Sequence, residues 1–309
     1  MRTRCTIQYA VSLLALVVGG CASRSFPLLT TSSFAFATDT LRTRRVGDGV
    51  AHHFIYSPAG PWAIHVLDVN LARCNTAVAV KGASGAEGRM LTSDLMRDLA
   101  RTRDVVGGVN ADFFLFTPPG VPTGALVSGG RVITPPSAAP VFAMDSAGIP
   151  HIRTFTLRGG AKLAVGDPAL ANASFAPFHP LEAVGGRPVM ARDSTMVANI
   201  DSAGGVAFST TRHPRTAIGI ANNRTRLLLV VVDGRQKPYS DGMTLRELAS
   251  LMLALGARDA LNLDGGGSTT MVYADSARGM HVANHPSDPA GERPVGDALA
   301  IVRGCKPAP

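Results

Sequence analysis

Ala260-Leu-Asn-Leu-Asp264-Gly-Gly-Gly-Ser-Thr-Thr-Met-Val-Tyr273 decides the reading of this chain. An apolar run ends at Asp264, three glycines follow, and Ser268, Thr269 and Thr270 lead into a second β-prone run. The pattern predicts two strands joined by a glycine loop. Gly265, Gly266 and Gly267 allow positive φ and a close approach of backbone to a ligand. Successive N–H groups in such a loop can cradle an anion. A carboxylate, free N–H groups and hydroxyls at one loop suit a sugar or phosphate oxygen. The plain alternative is a tight turn capped by an aspartate. Three glycines plus Ser-Thr-Thr between two buried strands favour a site.

Upstream, Thr244-Leu-Arg-Glu247 is a capping box, and Leu245, Leu248, Met252 and Leu255 form an apolar stripe closed by Gly256. Before that helix, the run 227–232 reads as a strand buried on both faces, ending in Asp233-Gly-Arg235. Strand, helix, strand predicts a crossover with Asp233 and Asp264 at one sheet edge. A second helix is expected over 91–102 from Leu91, Leu95 and Leu99. After it, a buried strand runs into Asn110-Ala-Asp112-Phe-Phe114, whose Asn110 and Asp112 share a face at a spacing of two. Turn-forming Asn and Asp are the alternative there. Strands are expected at 50–57, 62–69, 76–81 and 298–302, with a hairpin over 125–134, while 159–180 carries little signal. At 309 residues, 46% hydrophobic and 17% charged, the chain can bury a large core. The expected class is α+β: one domain over 47–305 with a tail at 306–309, extensive mixed β-sheet, few helices, and glycine loops meeting in one cleft.

The first twenty residues read as a secretory signal. Arg2 and Arg4 precede a short apolar run too short to span a bilayer. Val18-Gly-Gly-Cys21 resembles a bacterial lipobox, which predicts a lipid anchor on Cys21, with plain signal cleavage as the alternative. A Ser/Thr/Ala-rich segment, 21–46, reads as a tether. The expected product is an exported lipoprotein of the cell envelope, facing the periplasm or the outside. Losing residues 1–20 removes two of the eight net positive charges. The remaining excess suits an anionic substrate, and no basic run interleaved with aromatics points to nucleic acid. Cys74 and Cys305 remain as an exported pair that forms a disulfide or stays as two thiols.

Taken in order, Asn110-Ala-Asp-Phe-Phe, Gly185-Gly-Arg-Pro-Val, Arg215-Thr-Ala-Ile-Gly, Asp233-Gly-Arg, Asp264-Gly-Gly-Gly-Ser-Thr-Thr and Glu292-Arg-Pro-Val resemble the phosphodiester glycosidase domain over roughly residues 50–304. The resemblance implies cleavage of a sugar-1-phosphodiester, N-acetylglucosamine-1-phosphodiester-like, at the anomeric C–O bond; no cofactor is expected, with a divalent metal as the alternative. That chemistry needs a carboxylate beside the anomeric carbon and cationic or N–H donors for the phosphate. On this basis Asp264 is assigned as nucleophile or base, with Asp112 or Glu292 as second carboxyl. Arg187 and Arg215 hold the phosphate with the N–H groups of Gly265, Gly266 and Gly267. Asn110, Asp233, Ser268, Thr269 and Arg293 orient the sugar or the loop. Arg215 has a structural alternative, pairing with Asp233 or Glu292, and Glu292-Arg293 reads equally as an ion pair.

Two other readings compete: a phosphodiesterase cutting P–O, with a metal on Asp112, Asp233 and Asp264, and a non-catalytic envelope polysaccharide-binding lipoprotein. Scattered acids without tight metal-ligand spacing weigh against the first, and the polar set around Asp264 against the second. The anchor is tested by fractionation. Wild type is expected in the membrane fraction and Cys21→Ser in the soluble one; equal membrane retention of both removes the lipid.

Overall fold

The computed structural model describes residues 38–82, 88–137, 139–158, 162–165 and 176–304. At its centre the strand Arg226–Val232 is buried on both faces, as its unbroken apolar run requires. Leu227, Leu229 and Val231 pack with Leu67, Val69, Val109, Phe142 and Leu299. Leu228, Val230 and Val232 face the other way, against Ile64, Val66 and the helix residues Leu248 and Met252. The alternation of a pleated strand thus sends successive side chains into two cores.

Three larger sheets surround the first core. The eight-stranded sheet runs, in spatial order, Thr40–Gly47, Val50–Ser57, Trp62–Asn70, Arg226–Val232, Arg215–Ala221, Ala257–Asn262, Val189–Arg192, Thr195–Met196. The five-stranded sheet runs Gly279–Val282, Met271–Asp275, Asp104–Asn110, Asp297–Arg303, Asn75–Lys81. A seven-stranded sheet, containing Pro140–Asp145 and Pro180–Gly185, covers the core from a third side through Phe142, Met144 and Val184. Helix Leu245–Ala254 lies on the outer face of the eight-stranded sheet, and Thr92–Leu99 on that of the five-stranded one, through Leu95 and Met96. The α+β class holds, and both helices form where their stripes put them. Every ladder among the described strands is antiparallel. The parallel relation expected of the crossover joins Arg226–Val232 to Ala257–Asn262 with Arg215–Ala221 interleaved, since Val232 pairs Arg215 and Asn262 pairs Ala217. Both strands therefore end at the same sheet edge, where Asp233 and Asp264 follow.

The expected tether does not extend to residue 46. Thr40–Gly47 is an edge strand paired with Val50–Ser57. Leu41 and Val46 pack on the core, while the intervening arginines stay exposed, as suits an edge that must not recruit another strand. Two short helices, Ile200–Gly204 and Val206–Thr210, had no sequence signal. The signal segment, Cys21 and Cys305 lie outside the described residues. Cys74 is disulfide-bonded, and the Gly304 N–H donates to its carbonyl at 2.8 Å, one residue before Cys305.

The capping box is complete. Thr244 Oγ1 accepts from the Glu247 N–H at 3.2 Å, and Glu247 Oε2 accepts from the Thr244 N–H at 2.9 Å. Replacing Thr244 by Ala is expected to cost about 1 kcal/mol. That lowers Tm by roughly 2–4 °C in thermal unfolding.

Candidate active site

The cleft forms where three strand ends meet. The Asp264 N–H donates to Ala111 O at 2.8 Å, the Leu263 N–H to Thr216 O at 2.9 Å, and the Ala111 N–H to Asp297 O at 3.3 Å. Asn110, wholly buried, locks the junction: its Nδ2 donates to Asp264 O at 2.7 Å, and its Oδ1 accepts from Thr216 Oγ1 at 2.8 Å and the Thr270 N–H at 3.1 Å. Of the two roles expected for it, orienting the sugar or the loop, these bonds are those of the second.

Three carboxyl groups gather at this junction. Asp264 is partly buried, and desolvation pushes it up to about 6. The neighbouring Ser268 hydroxyl, the Gly265 N–H at 2.9 Å and the charges of Arg293 and Arg187 hold it back from rising further. Asp112 is buried, with Oδ2 accepting from the Gly124 N–H at 2.7 Å. Desolvation, then Asp297 and Asp264, drive its carboxyl well above the usual range. Asp297, which had no place in the sequence reading, is wholly buried, and its Oδ1 accepts from the Asp112 N–H at 2.8 Å. Burial, and to a lesser degree Asp264, raise it to about 7.

The cations lie on the other side of the loop. A Cβ on Gly266 would meet the Arg235 guanidinium nitrogens at 3.2 Å, and one on Gly267 would collide with Arg293. The glycines thus clear space for two guanidinium groups laid along the loop. Only Gly266 of the three needs positive φ, at 62°. The anion nest expected of the loop is partly spent: the Gly265 N–H bonds the Asp264 carboxylate and the Gly266 N–H bonds Pro214 O. Arg187 is exposed, its guanidinium 5.0 Å from the centre of the Phe113 ring. A cavity of about 140 Å³ beside it is lined by Asp112, Phe113, Thr123, Gly124, Gly186 and Arg187, among others. The Arg293 Nε also pairs with Asp288 at 2.9 Å.

Several expected site residues serve elsewhere. Arg215 is wholly buried, donating to the carbonyls of Met243 (2.8 Å), Phe208 (2.7 Å) and Thr211 (2.9 Å), with its guanidinium over the Phe208 ring. It braces the short helices, and its Nη1, without a hydrogen-bond partner among the described residues, is closed off from the surface. Glu292 Oε2 accepts from the Ser93 N–H at 2.9 Å, in the first turn of Thr92–Leu99, so it caps a helix and does not join the carboxyl cluster. Asp233 accepts from Asn284 Nδ2 (2.9 Å), Tyr239 Oη (3.1 Å) and the His285 N–H (3.1 Å). Asn284 in turn donates to Thr269 O and accepts from the Met271 N–H, so Asp233 orients the loop through it. Ser268 and Thr269 are buried in the loop, and Thr269 Oγ1 has no partner among the described residues. With Asp233 engaged in this way, it does not join Asp112 and Asp264 as a metal trio. Among the described residues no three His, Cys, Asp or Glu groups are placed to hold a metal ion.

Sequence reading missed Asp297, Arg235 and Asn284. The signal for Arg235 was present: it ends the Asp233-Gly-Arg turn and takes positive φ at 60°. Beyond it opens a groove of about 560 Å³ lined by Gln236, Lys237, Tyr239, Ala283, Asn284 and His285.

A family model described as phosphodiester glycosidase matches residues 103–302. The SPbeta prophage-derived protein YomE of Bacillus subtilis is 40% identical over 90 residues, 29% of this chain and 13% of that one. Among solved structures, the chain is similar to a hypothetical protein from Synechocystis, with TM-score 0.61 and 17% identity, over 86% of this chain and 64% of that one. It is also similar to the catalytic domain of zebrafish N-acetylglucosamine-1-phosphodiester alpha-N-acetylglucosaminidase, auto-inhibited by its pro-peptide, with TM-score 0.58 and 19% identity over 87% and 83% of the two chains. An exported protein from Burkholderia pseudomallei gives 0.58 and 20%, over 78% and 74%. At these identities the solved structures speak for the fold. The chain spans 64% of the Synechocystis protein and its match spans 13% of YomE.

The two arginines first assigned to phosphate should now separate by stability. Arg215→Met strips one buried and two partly buried carbonyls of a charged donor and is expected to lose about 1–3 kcal/mol in denaturant unfolding. Arg187→Ala, on the surface, should stay within about 0.5 kcal/mol of wild type. Equal stabilities would return Arg215 to the substrate side.

Proposed function

The chain belongs to the phosphodiester glycosidase family, and from that membership and the cleft geometry we propose that it hydrolyses a sugar-1-phosphodiester at the anomeric C–O bond. The products are a free sugar and a phosphomonoester. One observation carries the reading: the Asp264 carboxylate sits at a strand end on a loop flanked by Arg293 and Arg235, with a second carboxyl, Asp112, raised well above its usual range by burial and by Asp297, near enough to feel its charge. Environments that push two carboxyls apart in acidity assign the base and the acid.

In this mechanism Asp264, ionised above about pH 6, attacks the anomeric carbon or takes the proton of the attacking water. The water oxygen ends on the sugar. The bonding pair of the broken C–O bond leaves with the phosphate, whose charge Arg187, Arg235 and Arg293 stabilise. Burial and the charges of Asp297 and Asp264 favour the protonated form of Asp112, which lines the cavity wall and in this reading protonates the departing oxygen. Phosphate is already a good leaving group, so Asp112 contributes less than Asp264. The groove beyond Arg235 receives the rest of the substrate. The substrate class, an N-acetylglucosamine-1-phosphodiester, follows the name of the zebrafish relative. With the signal and Cys21 of the sequence, the proposed setting is an exported, lipid-anchored enzyme acting on envelope or extracellular glycans.

Hydrolysis of such a diester in ¹⁸O water should place the label in the sugar; label in the phosphate would overturn C–O cleavage. Asp264→Asn should lower kcat by at least about a thousandfold, each 1.36 kcal/mol of barrier being tenfold. Its Tm should hold or rise, because the wild-type carboxylate is desolvated. Near-normal turnover removes Asp264 from the mechanism. Because the base works deprotonated, wild-type kcat/KM should climb as pH rises through about 6.

A further inference from the structure

We propose that Asp297 is a positioning residue for Asp112, fixing both where that carboxyl sits and the charge it carries; the assignment deepens the hydrolytic reading above and rests on it. The placement is set by backbone register. Asp297 opens the strand Asp297–Arg303, in which Ala298 pairs Asn110, so it lies directly beside the Ala111-Asp112 turn. Its own carbonyl takes the Ala111 N–H at 3.3 Å and its Oδ1 takes the Asp112 N–H at 2.8 Å. One residue thus holds two consecutive amides of the segment that carries the acid.

The other side of Asp112 is closed by glycines. A Cβ on Gly124 would come within 2.6 Å of Asp112 Oδ2, and one on Gly185 would collide with the same oxygen. The carboxyl is therefore clamped between two glycine backbones and Asp297. Asp297 Oδ2 is buried with no hydrogen-bond partner among the described residues. An unpaired, desolvated carboxylate oxygen is costly unless it is protonated or shares a proton.

Among the described residues no cation sits between the pair to relieve that cost. Asp264, from the glycine loop, adds a further negative charge to both groups. Lys81 is opposite Asp297 in the ladder with the strand Asn75–Lys81, but is exposed. The hairpin of Phe114–Phe116 and Pro119–Pro122 contributes no titratable group, Arg187 lies beyond Gly186 on the surface, and Arg293 acts on Asp264. Burial and the charge of Asp264 raise both carboxyls, and the charge of Asp297 adds to the rise of Asp112. Negative charge on Asp297 disfavours a second negative charge on Asp112, the member that lines the cavity. Such a pair titrates as a unit.

The test replaces Asp297 by Asn, which retains an oxygen acceptor for the Asp112 N–H and removes the charge. In the full chain labelled with ¹³C at aspartate carboxyls, the Asp112 midpoint is expected to fall by about one pH unit or more, the size of shift a neighbouring like charge produces. The alkaline limb of kcat/KM should move down by the same amount. If Asp297→Asn does not fold, Asp297→Ser carries the same measurement. An unmoved Asp112 midpoint in a folded variant overturns the proposal and leaves Asp297 a purely structural residue. A moved midpoint in a protein that hydrolyses no sugar-1-phosphodiester sustains the coupling and sinks the hydrolytic reading instead.

Discussion

The Asn110 amide is the interaction on which the site depends. It is wholly buried, and it joins three separate segments: the Asp264 carbonyl, the Thr216 hydroxyl and the Thr270 N–H. Thr216 belongs to the eight-stranded sheet and Asn110 to the five-stranded one. A buried amide left unpaired is expensive, so this group fixes how the two sheet ends meet. The carboxyl cluster follows from that junction. Asp112 comes two residues after Asn110, Asp264 hangs on the carbonyl that Asn110 holds, and Asp297 starts the neighbouring strand.

Much of the fold was legible because it rests on local rules. The capping box at Thr244, the leucine spacing over 91–102 and the unbroken run before Asp233 each announce their element without help from distant residues. The site was legible in part. Asp264, Asp112 and the glycine loop stood out because glycine triplets and paired acids at strand ends are unusual. The losses share a cause: their meaning lies in partners far along the chain. Glu292 precedes a strand like a cleft residue, yet it caps a helix 199 positions away in sequence. Arg215 begins a strand at the cleft, but two short helices without a sequence signature fold Phe208 over it. Asp297, one residue after a glycine at a strand start, is indistinguishable from an ordinary turn former until the ladder with Asp104–Asn110 is known.

Charge is partitioned across the loop. Asp112 and Asp297 are buried, with no cation between them among the described residues, while the arginines lie on the Asp264 side of the loop. The arrangement opposes folding where it serves chemistry. Below about pH 4 the aspartates carry their protons in both folded and unfolded chains. As pH rises, the unfolded chain ionises first, and stability falls until the folded groups release their protons, near 6 for Asp264 and near 7 for Asp297. Sites that hold unpaired charge for a reaction commonly give up stability in this way.

Asp233 separates two jobs that a cleft usually mixes. It grips Tyr239, Asn284 and the His285 amide, which form the groove wall, and reaches the glycine loop only through Asn284. The groove residues Gln236, Lys237, Tyr239 and His285 make no hydrogen bond to the carboxyl cluster. On the hydrolytic reading proposed above, exchanging them would change what the far end of a substrate must look like while Asn110, Asp112, Asp264 and Asp297 stay in register. On that reading the surface turns could be rebuilt without touching the buried junction that carries the carboxyls.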